Sequence, residues 1–322
     1  MNKNNKKSAI MVVLAALLMS LPLSGEAQSI TRNKKKPATT NMAPRKQKST
    51  KSKQSSSSSS NGKSKKTSNT TTLQSTNRSS SSSQSGQSSK PIIPAAVQQA
   101  IDAMVWVEGG TFSMGATAEQ GRDANSDENP VHQVNLSGYY ICRYEVTQEL
   151  WKAVMGNNPS HFTGDTCCPV ESVSWYDCQD FISKLNRLTG RHFRLPTEAE
   201  WEFAARGGNY SRGYKFAGSN VLDNVAWYDG NSGPHAVGTK SPNELGLYDM
   251  SGNVYEWCQD WYGHYNNGSQ SNPTGPSSGT GRMFRGGSWS FDARYCRVSN
   301  RFFYTPTISS YYLGFRLAAS SL

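Results

Sequence analysis

Residues 285–316 read RGGSWSFDARYCRVSNRFFYTPTISSYYLGFR. Two glycine-anchored ends, Gly286-Gly287-Ser288-Trp289 and Gly314-Phe315-Arg316, bracket a middle crowded with Phe291, Tyr295, Phe302, Phe303, Tyr304, Tyr311 and Tyr312. These rings follow neither the helical nor the strand period, so they cannot all face one core. Some of them must be exposed. Rings interleaved with Ser, Thr and Asp are the composition of a binding surface, because rings give contact area at little entropic cost and hydroxyls adapt their hydrogen bonds. The same composition also suits a loop-rich domain with half-buried Tyr and Phe, and composition alone does not choose.

Outward from this stretch, charge divides the chain. Residues 1–100 carry 17 Lys and Arg against a single acid, Glu26, whereas residues 101–322 carry 17 against 22 Asp and Glu. The net charge of +11 therefore belongs to the N-terminal part, and specific nucleic-acid binding by the remainder is not indicated. Met1–Ala27 reads as a secretory signal: Lys3, Lys6 and Lys7, an apolar run from Ala9 to Leu21, then small residues before Gln28. The competing reading is a retained anchor that attaches the chain to the cell envelope. Residues 28–94 are rich in Ser, Lys, Thr, Asn and Gln and hold almost no large apolar side chain, which predicts a disordered linker. Export makes periplasmic, cell-surface and extracellular locations equally compatible. It also makes disulfides available to Cys142, Cys167, Cys168, Cys178, Cys258 and Cys296, with connectivity open. The five histidines are scattered without zinc-ligand spacing.

One domain is expected over 95–322. Met104–Val107 and the residues up to Gly115 read as two short strands joined at a Gly turn, and Tyr139–Val146 as another strand. Three helices have readable starts. Thr147 caps one that stops at Gly156; Ser174, with Asp177 in the box position, caps one that ends at Gly190; Thr197, with Glu200, opens one closed by Gly207-Gly208. Beyond residue 209 periodicity fades, which predicts an irregular half whose backbone groups need partners other than ladders. In Asp249-Met250-Ser251-Gly252-Asn253-Val254-Tyr255-Glu256, two carboxylates alternate with turn carbonyls, a weak pattern for an oxygen-ligated calcium.

Seven motifs then carry a resemblance. They are Val107–Gly115 (VEGGTFSMG), Glu145-Val146-Thr147, Pro169–Trp175 (PVESVSW), Arg194–Glu202 (RLPTEAEWE), Gly246–Trp257 (GLYDMSGNVYEW), Arg285–Trp289 and Gly314–Arg316. Together they resemble the sulfatase-modifying-factor family, the fold of the formylglycine-generating enzyme. The resemblance implies an α+β, elaborated C-type-lectin-like fold with few short strands, about three helices and much irregular structure. It implies a calcium held by side chains at Asp249 and Glu256 and carbonyls at Gly252 and Val254. A second calcium would begin at Asn224 and Val225, although the segment supplying its other ligands is shortened here. The family's oxidase holds copper between two cysteines, at positions matching Phe291 and Cys296. Only Cys296 is a thiol, and one thiolate does not make the site soft copper(I) favours. Cys296 is then the one catalytic residue left to an oxidase reading, and a disulfide, with Cys258 as a partner, is the alternative.

The same stretch also resembles the variable region of retroelement-diversified proteins, which carry this domain and a framework of RGGSW, ARxCRVxNR and GFR. In such regions asparagine codons randomised at adenines encode no Lys, Glu, Gln, Met or Trp. The candidate positions here are Ser290, Phe291, Asp292, Tyr295, Phe302, Phe303, Tyr304, Thr305, Thr307, Ile308, Ser309, Ser310, Tyr311 and Tyr312, and none holds an excluded residue. The expectation is a secreted or surface-displayed protein that binds a protein or glycan ligand through these positions. Arg285, Arg294, Arg301 and Arg316 are expected to be framework. The alternative is a formylglycine-generating or related exported oxidase acting on a sulfatase or another substrate.

Overall fold

The structure, a computed structural model, describes residues 93–230 and 232–322. The signal segment and all but the last two residues of the linker lie outside the described residues. In chain order the first elements are α1 (Ala95–Asp102), β1 (Met104–Val107), β2 (Gly110–Met114), β3 (His132–Leu136), β4 (Tyr139–Cys142), α2 (Gln148–Met155) and α3 (Trp175–Thr189). Then come β5 (Phe193–Arg194), α4 (Glu198–Ala205), β6 (Tyr255–Trp261), β7 (Gln270–Ser271), β8 (Arg282–Arg285), β9 (Phe302–Tyr304), β10 (Leu313–Gly314) and β11 (Ala318–Ala319).

The three expected helices start at their caps. Thr147, Ser174 and Thr197 each accept from the amide three residues on, and the last two close reciprocal boxes with Asp177 and Glu200. Left-handed Gly156 and Gly190 stop α2 and α3. The amphipathic α3 buries Cys178, Phe181, Ile182 and Leu185, and Phe181 stacks on Trp151 of α2 with centroids 5.2 Å apart. The sequence does not announce α1, which follows Pro94 and buries Ala96, Val97, Ala100 and Ile101.

Three small sheets follow, ordered β1-β4-β11-β5, β10-β6-β8-β9 and β2-β3-β7. The Gly turn after β1 is present, but β1 and β2 do not pair with each other. β1 runs antiparallel to β4 and β2 antiparallel to β3. At that turn a Cβ on Gly109 would stand 2.5 Å from the Leu136 carbonyl, so the chain passes against β3 as it changes sheets. The strand expected over Tyr139–Val146 ends at Cys142. β10 pairs in parallel with β6, which places Gly314 beside Glu256. A Cβ at Gly314 would meet the Val170 carbonyl at 2.4 Å, which accounts for glycine in Gly314-Phe315-Arg316.

In the irregular half, buried arginines supply partners to loop backbone. Arg316 donates to the carbonyls of Cys142, Arg143 and Tyr248, and Arg301 to those of Asp127 and Gly263. Each guanidinium is also neutralised. Arg316 pairs with Glu256, Arg301 with Glu198, Arg285 with Glu202 and Arg297 with Glu128, all with little or no exposure. The framework expectation thus holds for Arg285, Arg301 and Arg316. It does not extend to Arg294, which is half-exposed, lies over the Tyr295 ring at 4.6 Å and faces Asp292 at 3.5 Å.

Candidate ligand-binding face

The segment between the two glycine-anchored ends alternates in depth. Cys296–Arg301 and Leu313–Arg316 are buried, whereas twelve of the fourteen candidate positions are exposed or half-buried. The exceptions are Ser310 and Tyr312, the latter only 3% exposed. The framework run is pinned from beneath. Val298 and Cys296 enter the core, Arg297 binds Glu128 through both nitrogens, and Ser299 donates to the same carboxylate. Gly287, at φ 78°, lets the first anchor press onto Cys296, since a Cβ there would fall 2.6 Å from its sulfur.

Three of the seven candidate rings converge on one buried tyrosine. Tyr255 meets Phe291 at 5.3 Å, Phe302 at 5.6 Å and Tyr312 at 6.3 Å, in edge-to-face geometry. Phe291 also contacts Tyr295 and Tyr312, and Tyr295 contacts Phe302. Tyr311 continues the cluster onto Trp289, Phe162 and His161. Phe162 and His161 come from a loop some hundred and fifty residues earlier in the sequence, where no local pattern marks them. The cluster leaves out Tyr304 and Phe303. Phe303 sits between Phe302 and Tyr304 on β9, so strand alternation turns it to the opposite side, where it stacks on Tyr262 at 3.8 Å and joins the main core. Tyr312 forms the floor rather than the surface of the face, and burial pushes its phenol up to about 12. The fourteen positions therefore comprise an exposed or half-buried rim, the floor residue Tyr312, buried Ser310, and Phe303, which is committed elsewhere.

This arrangement does not suit a copper thiolate centre. Phe291 fills one of the two expected positions with a ring packed on Tyr255. At the other, Cys296 is fully buried, and burial together with the Asp292 carboxylate pushes its thiol up to about 12. All six cysteines are free, and the bridge between Cys296 and Cys258 is not formed. The two residues belong to different apolar clusters, Cys258 with Trp201 and Met283, and Cys296 with Phe216 and Val225.

At the expected calcium position, Asp249 is 2% exposed and has a left-handed backbone. Its Oδ2 accepts from the Gly238 amide at 2.7 Å, but its Oδ1 has no partner. Burial pushes the carboxyl up to about 6. Glu145 and Glu256 are buried nearby, and Asp249 and Glu256 add to the burial that raises the Glu145 carboxyl well above its ordinary range. Arg316, which grips Glu256 at 2.6 Å through two nitrogens, is the cation facing this group. An orphaned carboxylate oxygen beside buried negative charge suits a divalent cation, but both Glu256 oxygens are bonded by Arg316, one of them also by Trp201 Nε1, and among the described residues no group of three or more His, Cys, Asp or Glu is placed to hold a metal ion. The residues at the second position fit less well. The Asn224 carbonyl accepts from the Ser241 amide, and the Lys240 ammonium lies on the Asp223 carbonyl at 2.7 Å, a fixed positive charge beside the place a cation would take.

Comparison with known proteins gives a consistent picture. Residues 89–321 match the family described as sulfatase-modifying factor enzyme 1-like domain. The chain is 34% identical to the chaperone protein LppX of Paenibacillus barcinonensis over 62% of its own length and 82% of that protein. It is 31% identical to the formylglycine-generating enzyme of Streptomyces coelicolor, covering 70% of this chain and 91% of the enzyme. Among solved structures it superposes on Treponema denticola variable protein 1 with a TM-score of 0.62 and 37% identity, over 67% of this chain and 94% of that one.

Proposed function

The chain belongs to the sulfatase-modifying factor enzyme 1-like domain family, and from that premise we propose that it is an exported ligand-binding protein. Its binding surface is the exposed rim of the 290–312 segment, and its ligand is a protein or glycan outside the cell. The observation that carries this reading is the alternation in depth: twelve of the fourteen candidate positions are exposed or half-buried, while the framework runs Cys296–Arg301 and Leu313–Arg316 are buried. Diversity at such positions changes contacts without changing the core. The likeness to a protein described as variable supports the reading from a second direction. Export rests on the N-terminal composition. Among the described residues no helix is long and apolar enough to cross a membrane, and the chain is read as anchored or released through its N-terminal part. An oxidase reading receives no support from the Phe291 and Cys296 geometry.

The test needs no ligand. Sequencing the coding segment for Gly286–Arg316 across many cells of one population should find substitutions concentrated in the fourteen candidate codons, with none at Cys296–Arg301. A near-copy of the segment with adenines at those codons, beside a reverse-transcriptase gene, should accompany them. Uniform or purely synonymous variation, with no such copy, would refute the proposal.

We further propose that Asp249 and Glu256, with the Gly252 and Val254 carbonyls, hold a structural calcium that ties the loop before β6 to Arg316. A ligand bound only by the folded state at 100 times its Kd adds about 2.7 kcal/mol. For a domain of this size that corresponds to a Tm rise of about 5–10 °C. Calorimetry of chelator-treated protein with and without calcium should show this rise, and Asp249→Asn should abolish it. A wild-type Tm indifferent to calcium would sink the proposal.

A further inference from the structure

A cleft separate from the candidate face opens between the start of α4, the end of β6 and the loop that follows β6. Its volume is about 470 Å³, within the range of small-molecule sites. Two carboxyl groups line it, Glu198 and Asp260, 5% and 3% exposed. Glu198 is fully served. Arg301 holds its two oxygens at 2.6 and 2.8 Å, and Arg285 Nε stands 3.4 Å from Oε1. Asp260 is not. Among the described residues its side chain makes one hydrogen bond, accepted by Oδ2 from the Glu198 amide at 2.9 Å, and it has no ion pair. Arg301, the guanidinium that lines the same cleft, has nothing left to offer. Besides Glu198 it donates to the Asp127 and Gly263 carbonyls, and its flat face lies 3.8 Å from the centre of the Tyr265 ring.

We propose that this cleft binds a primary ammonium group carried on an alkyl chain, with Asp260 as its counter-ion. A buried carboxylate without a cation is costly, and a hydrogen-bonding cation relieves that cost. Burial, and after it the Glu198 carboxylate, pushes the Asp260 acid up to about 8, against the weaker opposing pull of the Glu198 amide and Arg301. A metal is poorly served here, because Glu198 is committed to Arg301, which leaves Asp260 as the one carboxylate of the lining able to hold it. The lining also includes Trp261, His264, Tyr265 and Pro276, alongside polar Asn266, Ser269, Gln270 and Thr274. Rings and methylenes of this kind pack against an alkyl stem and favour a cation over their faces. This ligand is distinct from the one proposed for the 290–312 rim, and neither reading depends on the other.

Calorimetric titration of the purified chain with n-butylammonium chloride, at fixed ionic strength and with butan-1-ol as the neutral control, tests the assignment. The amine should bind saturably and at least tenfold more tightly than the alcohol. Asp260→Asn keeps an acceptor for the Glu198 amide and should weaken amine binding at least tenfold. Gly268 lines the cleft from the loop, and a Cβ there meets nothing within 4 Å, so Gly268→Trp should occlude the site while leaving Tm unchanged. A blocked tripeptide, acetyl-Gly-Lys-Gly-amide, separates two sources of the same chemistry. Binding tenfold tighter than butylammonium assigns the site to a lysine of a partner protein, and weaker binding assigns it to a free alkylamine. Absence of saturable binding by both amine and peptide, equal affinity of amine and alcohol, or binding unaffected by Gly268→Trp would overturn the proposal.

Discussion

Arg297→Ala should cost about 3–5 kcal/mol of folding stability, the loss expected when one partner of a buried ion pair is removed. Arg297 and Glu128 are 169 residues apart in sequence, both side chains are fully buried, and they meet through two nitrogens and two oxygens at 2.6 and 2.5 Å. The truncation strands Glu128 in the core with only the Ser299 hydroxyl and the Asn125 amide for company. Urea denaturation measures the loss. A volume-matched double variant, Arg297→Met with Glu128→Leu, should recover most of it, because no charge is then left unpaired. A single-variant loss below about 1 kcal/mol would show that the pair is not closed as described. The pH dependence provides a separate check. Burial alone would raise the Glu128 carboxyl, but Arg297, the Ser299 hydroxyl and the Asn125 amide together outweigh burial and hold it below the ordinary carboxyl range. The wild-type contribution is therefore complete above about pH 4.5 and is lost as pH falls through the depressed folded value. In Arg297→Ala burial dominates, the folded value lies above the unfolded one, and acidification through it should stabilise the variant relative to neutral pH.

Tyr312→Ala should be almost as damaging, at about 3–5 kcal/mol, the usual loss for a large buried aromatic side chain. Its ring rests against Tyr255, Phe291 and Tyr311, so truncation leaves a cavity beneath the face. Exposed neighbours such as Thr305, Thr307 and Ser309 should each change stability by no more than about 0.5 kcal/mol when replaced by Ala. Thermal denaturation of the four single variants reads this directly. If Tyr312→Ala were as mild as Ser309→Ala, the division into floor and rim would be wrong. The contrast also decides how binding should be probed. Tyr304 with Tyr311 is a surface pair whose loss can be attributed to ligand contact, whereas any variant that includes Tyr312 mixes contact with collapse of the floor.

The parts of the fold legible in the sequence were those written locally. Thr147, Ser174 and Thr197 set the starts of three helices because a cap acts on amides two and three residues away. The strand His132–Leu136 was equally local, with its buried, exposed, buried alternation, but its five residues follow a polar loop and were passed over. The framework arginines could be named from the motif, yet their acids could not, since Glu128, Glu198, Glu202 and Glu256 reach them only through the fold. The depth of the aromatic residues was the least legible feature. Phe302, Phe303 and Tyr304 look alike in the sequence, and only their place on an edge strand sends the middle one to the other side. The cleft at Asp260 gathers residues from β3, α4, β6 and the framework run, and no spacing rule joins them.

The order of strands in the sheet β1-β4-β11-β5 has a consequence for how each copy of the chain is made. β11, at residues 318–319, lies between two strands from the first half of the domain and pairs with both. Until residues 316–319 emerge during synthesis, β4 and β5 have no common neighbour, and Arg316 is not there to meet Glu256. The 290–312 segment lies just upstream of this closing strand. On the proposed reading of this segment as a diversified face, any set of rings it carries has to be accommodated before the sheet is completed, so folding itself would screen the repertoire, and a sequence that cannot close would leave an unfolded chain for proteases rather than a defective binder.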